Sequence, residues 1–154
     1  MPKNKIELSR LLLRALIFAT VAFIIVNSMF PPELSEEQSD AVGGFLSQII
    51  PADTPLGAFI FDNLRKIAHF MEYGLLGAEI AVYVLISGDK FRLKQALLSL
   101  TVGPALGFVD ETVQIFSGRG PAIVDVWIDI GGFVFFSMCV YVAVALFVTL
   151  KKHL

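Results

Sequence analysis

Residues 65–77 read RKIAHFMEYGLLG, and the run continues as AEIAVYVLIS to residue 87. From Lys66 onward this stretch is long and apolar enough to cross a membrane, since about 20 residues at 1.5 Å rise each span the ~30 Å hydrocarbon core. Its opening turns nevertheless carry Arg65, Lys66, His69, Glu72 and Tyr73, groups that lipid rejects. At spacings of four residues Arg65, His69 and Tyr73 stack on one helix face, with Lys66 and Glu72 at its border. A helix with an apolar body and a polar mouth needs polar company at that end, and the neighbouring stretches supply it.

Three further runs have the length of a membrane span. Residues 11–30 stop at Pro31-Pro32, where two imino acids end a helix. Residues 95–116 are expected to kink at Gly103-Pro104, and residues 123–150 are apolar almost throughout. Together with residues 66–87 they predict an all-α integral membrane bundle of four transmembrane helices, one domain over residues 1–154. Composition agrees: 154 residues make about one domain, but 56% hydrophobic content and a mean hydropathy of +0.75 are too apolar for an ordinary soluble one. A net charge of −2 offers no basic footprint for nucleic acid, and the single Cys139 has no internal disulfide partner. Val26-Asn27-Ser28 loosely resembles a signal-peptide cleavage site, yet the apolar run before it exceeds the roughly 7–15 residues of a signal core, so an uncleaved anchor is expected.

Lysine and arginine set the orientation. Lys3, Lys5, Arg10 and Arg14 precede the first span, Lys90, Arg92 and Lys94 lie between the second and third, and Lys151 and Lys152 end the fourth. These nine of the chain's twelve basic residues mark one side, which predicts that both termini are cytoplasmic in the cell membrane. Residues 33–62 hold no Lys or Arg and are expected outside. There Ser35 and Gln38 have capping-box spacing, and Val42, Phe45, Leu46, Ile49 and Ile50 recur at helical intervals. The pattern predicts an external amphipathic helix, either lying on the membrane surface or packed over the bundle. Thr54-Pro55 then reads as an N-cap and first-turn proline.

The three basic residues that break the charge rule, Arg65, Lys66 and Arg119, sit at the external end. So do most of the acidic groups in the spans. GFVDETVQIF (107–116) places Asp110 and Gln114 one turn apart with Glu111 beside them, and IVDVWIDIGG (123–132) places Asp125 and Asp129 one turn apart. His69, Asp110 and Asp129 are each expected only about 5–10 Å below the outer hydrocarbon edge. A charge at the centre of a membrane helix costs about 2.5–3.5 kcal/mol, less near the edge, so these groups should face one another around a polar cleft. Arg119, in the short SGRGPA loop, is expected to close it.

Plainer roles compete for several residues. Arg65 and Lys66 fit snorkelling anchors, Asp125 fits the first turn of its helix, and Tyr73 fits an interfacial aromatic belt. Glu79, deeper in the second span, suits a hydrogen bond to a neighbouring helix. Gly74, Gly77, Gly103, Gly107, Gly131 and Gly132 suit close helix packing.

RKIAHFMEY joined with DETVQIFSGRGPAIVDVWIDIGG resembles the VanZ-like membrane proteins, whose pattern is K-x-x-H-F-x-x-Y, then D-E-x-x-Q-x-F-x-x-G-R, then D-V-x-x-[DN]-x-x-G. The resemblance covers residues 62–135 and extends loosely over all four spans. By position, the family's polar residues correspond to Lys66, His69, Tyr73, Asp110, Glu111, Gln114, Arg119, Asp125 and Asp129. Two departures stand out: Val113 occupies a position that is His in many relatives, and the Phe116-to-Gly118 spacing is one residue short, which puts the reach of Arg119 in question. The family's founding association is reduced susceptibility to teicoplanin-type glycopeptides, which bind cell-wall precursors outside the membrane, so the resemblance implies action near the outer leaflet.

Two functional classes follow. In the first, the protein is an enzyme on the phosphate-bearing head group of a phospholipid or polyprenyl-phosphate carrier, a head-group hydrolase or phosphotransferase. Arg119, Lys66 and Arg65 then grip phosphate oxygens, His69 serves as general base or nucleophile, and Glu111 or Asp110 orients it or acts as acid. Tyr73, Gln114, Asp125 and Asp129 would complete the substrate contacts. As an alternative, the carboxylates hold a divalent cation such as Mg²⁺ against the phosphate, although no ligand-spacing motif requires one. In the second class the same residues form a non-catalytic cleft that binds or shields a lipid-linked envelope precursor or partner. The density of acid, base and cationic groups leans toward catalysis.

Overall fold

The computed structural model describes residues 3–87, 97, 99–119 and 122–152, and these form six helices and no strands. They are α1 (Lys3–Ser28), α2 (Pro32–Leu46), α3 (Pro55–Asp62), α4 (Leu64–Ser87), α5 (Val102–Phe116) and α6 (Ile123–Lys152). Three are long and apolar enough to cross a membrane: α1 over Ile6–Ser28, all of α4, and all of α6. The 15 residues of α5 reach only about 22 Å at 1.5 Å each, short of the hydrocarbon core. Residues 95, 96 and 98 of the expected third span lie outside the described residues, as do Lys90, Arg92 and Lys94. The anticipated kink takes another form. Leu100 and Thr101 make a turn and α5 starts at Val102, so Pro104 falls in a first helical turn, where its missing N–H breaks no hydrogen bond.

The stretch expected to hold one external helix forms two. Helix α2 begins three residues before the capping-box position, because Pro31 is held extended ahead of Pro32 and Pro32 is suited to the first turn. Ser35 therefore lies inside the helix, its N–H bonded to the Pro31 carbonyl at 3.2 Å. The helix ends at Leu46, so Ile49 and Ile50 fall in the turn beyond it; no residue of α2 is buried. Thr54 does cap α3, its Oγ1 accepting from the Gly57 N–H at 3.0 Å with Pro55 following. At Asn63 the helical path breaks and α4 starts afresh, which sets Arg65 in its first turn.

Helix α4 is the centre of the bundle, packed along α6 on one side and against α1 on the other, while α5 lies against α6 and α1. Phe70 meets Gly132 and Gly77 meets Phe133 and Ser137, so α4 and α6 run parallel. At the opposite end from the polar mouth, the Arg10 guanidinium donates to the carbonyls of Ile86 and Ser87, at 3.1 and 2.6 Å, and Arg14 Nε donates to the Tyr83 hydroxyl at 2.8 Å. These contacts fix α1 antiparallel to α4 and satisfy carbonyls that a helix C-terminus leaves without partners. Glu79 accepts from Thr20 Oγ1 of α1 at 2.9 Å, the interhelical bond anticipated for it. Tyr73, Leu76, Ile24 and Phe133 make the buried apolar core.

Small residues let α4 and α6 approach this closely. A methyl group added at Gly132 would overlap the Phe70 carbonyl oxygen, one at Gly77 would overlap the Phe133 carbonyl oxygen, and Gly74 and Gly103 face phenylalanine rings nearly as closely. Gly107 and Gly131 sit at ordinary contact distance. Gly132→Ala is therefore expected to lower stability by about 1–3 kcal/mol, the usual cost of forcing extra volume into a packed contact. Gly131→Ala should change it by much less. Thermal unfolding of both variants in detergent checks the contrast, and equal stability of the two would refute it.

Candidate functional site

The polar groups of three helices meet at the end of the bundle where α4 and α6 begin and α5 ends. His69 of α4 turns Nδ1 toward Asp129 Oδ1 of α6 at 3.2 Å and toward Asp110 Oδ2 of α5 at 3.6 Å. Both aspartates are 0% exposed and His69 is buried. The sequence dictates this meeting: His69 is one turn inside the mouth of α4, Asp110 precedes the end of α5 by under two turns, and Asp129 is two turns into α6. Helix direction then brings all three to one level.

Around this trio runs a set of hydrogen bonds that hold Asp110 in place. Gln114 Nε2, one turn along α5, donates to Asp110 Oδ2 at 3.1 Å, and the Arg65 guanidinium donates to Gln114 Oε1 at 2.9 Å. The Ser28 hydroxyl at the end of α1 donates to Asp110 Oδ1. Asn27 donates to Glu72 Oε1 at 3.2 Å. Thus α1 is also part of the site, through the Asn27-Ser28 pair that the sequence reading treated as the tail of an anchor. Polar residues closing an apolar span at the level of Arg65 were the signal available for them.

The loop from α5 to α6 is short and tightly held. Gly118 has φ +83°, the left-handed region that glycine enters without strain, and this turns the chain toward the bundle. Glu111 Oε2 accepts from the Ala122 N–H at 2.8 Å, fastening the loop at the start of α6. Ser117 Oγ donates to the Ser28 carbonyl at 3.0 Å. Despite the shortened spacing Arg119 does reach inward: it is buried, and its Nη2 donates to the Asn27 carbonyl at 3.4 Å. Burial and then the nearby Arg65 guanidinium lower the Arg119 pKa from its ordinary value, against the raising effect of Asp110 and Glu111. Two cations thus converge where an anion would relieve their repulsion.

His69, Arg65, Arg119, Glu72 and Asn27 line a cavity of about 460 Å³ between α1, α2 and α4. Phe23, Leu64 and Val42 add apolar lining, and Ser35, Gln38 and Ser39 line it from α2. Because His69 Nδ1 is committed to the carboxylates, Nε2 is the ring nitrogen left to serve a ligand in this space.

The remaining candidates are placed differently. Tyr73 is 0% exposed, a core residue rather than an interfacial belt aromatic, and its hydroxyl has no partner among the described residues. Glu111 stands apart from the His69 trio, occupied with the loop, with Oε1 buried and unpartnered among the described residues. Asp125 is half-buried in the first turn of α6, where the helix dipole favours a carboxylate. Lys66 is exposed and does not line the cavity that Arg65 and His69 share.

No curated protein and no solved structure matches the chain. A family model described as VanZ/LLP1 matches residues 13–147. That match takes in each of the helices contributing to the His69, Asp110 and Asp129 cluster and its α1 border, and the chain therefore belongs to the VanZ/LLP1 family.

Proposed function

We propose that the protein binds the phosphate-bearing head group of a membrane lipid or lipid-linked cell-wall precursor at the outer leaflet and acts on it as a hydrolase or phosphotransferase. The observation that carries this reading is the cavity's mixed lining, which combines His69, Arg65 and Arg119 with Phe23, Leu64 and Val42. Such a lining fits an amphiphile whose anionic head meets guanidinium donors while its first carbons stay against apolar side chains. Arg65 and Arg119 hold phosphate oxygens, and Lys66, at the rim, attracts the anion from solution. His69 exchanges the proton, with Asp129 orienting its ring. Changing the pool of such a lipid is the route by which the site would bear on teicoplanin susceptibility.

A non-catalytic cleft that binds or shields the same lipid is the second reading. What favours it is that Asp110 already accepts from Ser28 and Gln114, as a structural binding wall would. Purified protein offered defined lipids bearing phosphate head groups separates the two. Release or transfer of the head group supports the enzyme, and stoichiometric binding without turnover supports the cleft. Failure of every phosphate-bearing lipid to bind would remove both.

This function requires the site to face outward, with both termini cytoplasmic, residues 95–116 as the third of four spans and α2 over the cavity on the outer surface. The distribution of Lys and Arg supports that arrangement. A cysteine placed at Ser39, which lines the cavity from α2, is expected to react with an impermeant thiol reagent added outside intact cells. Labelling from the cytoplasmic face alone would invert the topology and overturn an outer-leaflet function.

A further inference from the structure

We infer that His69, Asp110 and Asp129 form a binding site for one divalent transition-metal ion, of the Mn²⁺ or Zn²⁺ kind. The donor atoms lie within 4.8 Å of one another, and the two measured from the imidazole stand at 3.2 and 3.6 Å. A cation about 2.1 Å from each ligand holds neighbouring donors roughly 3.0–3.4 Å apart, close to the two distances from the imidazole, and the carboxylate oxygens, within 4.8 Å, would draw together around it.

Charge makes the stronger case. Asp110 and Asp129 are both fully buried, and among the described residues the only basic group within ion-pair distance of either is His69. Neither guanidinium is in ion-pair contact with them: Arg65 donates to Gln114 and Arg119 to the Asn27 carbonyl. Even an imidazolium leaves two ionised carboxylates with one net negative charge in a region where charge is costly. A dication with a neutral imidazole brings the set to zero.

A second, independent sign is an atom with nothing to bond. Asp129 Oδ2 is buried and has no hydrogen-bond partner among the described residues. It lies against α5 beside Gly107, one turn from Asp110, and so on the side from which the other carboxylate approaches. Gln114 and Ser28, which fix Asp110 without touching the other two donors, are in the place of the outer hydrogen bonds that orient metal ligands. One imidazole with two carboxylates is a mixed donor set that suits Mn²⁺ or Zn²⁺ better than the all-oxygen sites of Ca²⁺.

The inference rests on the lipid-phosphate reading for what the site would serve: His69 lines the cavity with Arg65 and Arg119, and Asp110 and Asp129 lie fully buried on its Nδ1 side. It makes Nδ1 of His69 a ligand and leaves Nε2–H as a hydrogen-bond donor toward the cavity. The test is titration of MnCl₂ and ZnCl₂ into chelator-stripped, detergent-purified protein containing no added lipid. One site per chain is expected. Asp129→Asn and Asp110→Asn should each weaken it at least a hundredfold, Gln114→Ala about tenfold as an orienting residue, and Asp40→Asn, an exposed acid on α2, not at all. Pulsed electron paramagnetic resonance of the Mn²⁺ form should show a directly bound nitrogen that His69→Gln removes. Absence of a site in folded protein, or undiminished binding by folded Asp129→Asn, would overturn the inference. Lipid binding is measured separately with chelator present, so loss of one result leaves the other standing: metal bound without lipid keeps this inference and sinks the lipid reading.

Discussion

Arg119→Ala is expected to weaken binding of a phosphate-bearing lipid by tenfold to about a hundredfold while leaving the protein's abundance and helical content close to those of the parent. The range follows from the roughly 1.5–3 kcal/mol that a hydrogen bond to a charged group contributes, with each 1.4 kcal/mol about a factor of ten. Arg119 is buried yet poorly satisfied. Its Nη2 makes a long bond of 3.4 Å to a carbonyl, and its Nε has no partner among the described residues. A guanidinium held in that state is available to a ligand, and little of the fold depends on it. The loop keeps its other fastenings, Glu111 on the Ala122 N–H and Ser117 on the Ser28 carbonyl. Arg119→Lys should restore part of the affinity, because it returns the charge but not the two-pronged donor. Binding by nanodisc-embedded variants measures both effects. Full-strength binding by a well-folded Arg119→Ala protein would mean that the anion sits elsewhere.

Glu111 behaves differently from Arg119 in this respect, and the difference separates positioning from contact. Its carboxylate holds the N–H at the start of α6, so the loop that carries Arg119 depends on it. Loss of function at Glu111 accompanied by loss of folded protein is what that geometry implies. Loss at Arg119 should come without it.

Much of this site was legible before any coordinate. The cost of burying charge in lipid required His69, Asp110 and Asp129 to face one another, and helical spacing placed them at one depth; the trio does converge. The role of Glu79 was readable for the same reason, since a carboxylate in mid-span must find a partner on a neighbouring helix, and Thr20 is that partner. What periodicity did not reveal were contacts set by the third dimension. Asn27 and Ser28 close an apolar run, and nothing in their own helix indicates that α1 ends beside α5. Arg65 and Lys66 are neighbours in sequence, yet a helix sends adjacent side chains about 100° apart. Both are exposed, yet only Arg65 reaches Gln114 and the cavity. The bounds of the first helix in residues 33–62 were misread because apolar spacing continued through Ile49 and Ile50, whereas Pro31-Pro32 and the turn after Leu46 determine where α2 starts and stops. Tyr73 was ambiguous because a tyrosine near a helix mouth serves a polar site or an interfacial belt equally well, and its full burial among α1, α4 and α6 excludes the belt.

His69→Gln is expected to retain lipid binding within a few-fold and to lower turnover by about 10²- to 10⁴-fold, the range that a positioned proton-transfer group contributes. Glutamine keeps a polar group of similar reach, so the pairing with Asp129, now 3.2 Å from Nδ1, has a substitute. It cannot take up and release a proton near neutral pH, which imidazole does. Arg65 and Arg119, the proposed anion contacts, are untouched by the change. The imidazole has a second role if Nδ1 ligates a metal ion, and the same variant distinguishes the two. Turnover recovered by saturating Mn²⁺ would show that ligation was what the variant had lost. Turnover still low with metal bound would show that proton exchange was lost. Two results would remove His69 from the chemistry: undiminished turnover in His69→Gln, or binding and turnover failing together in a well-folded protein. The second would make the residue a recognition contact and leave the non-catalytic cleft as the better account, because a site that loses its ligand with His69 depends on the ring for affinity rather than for reaction.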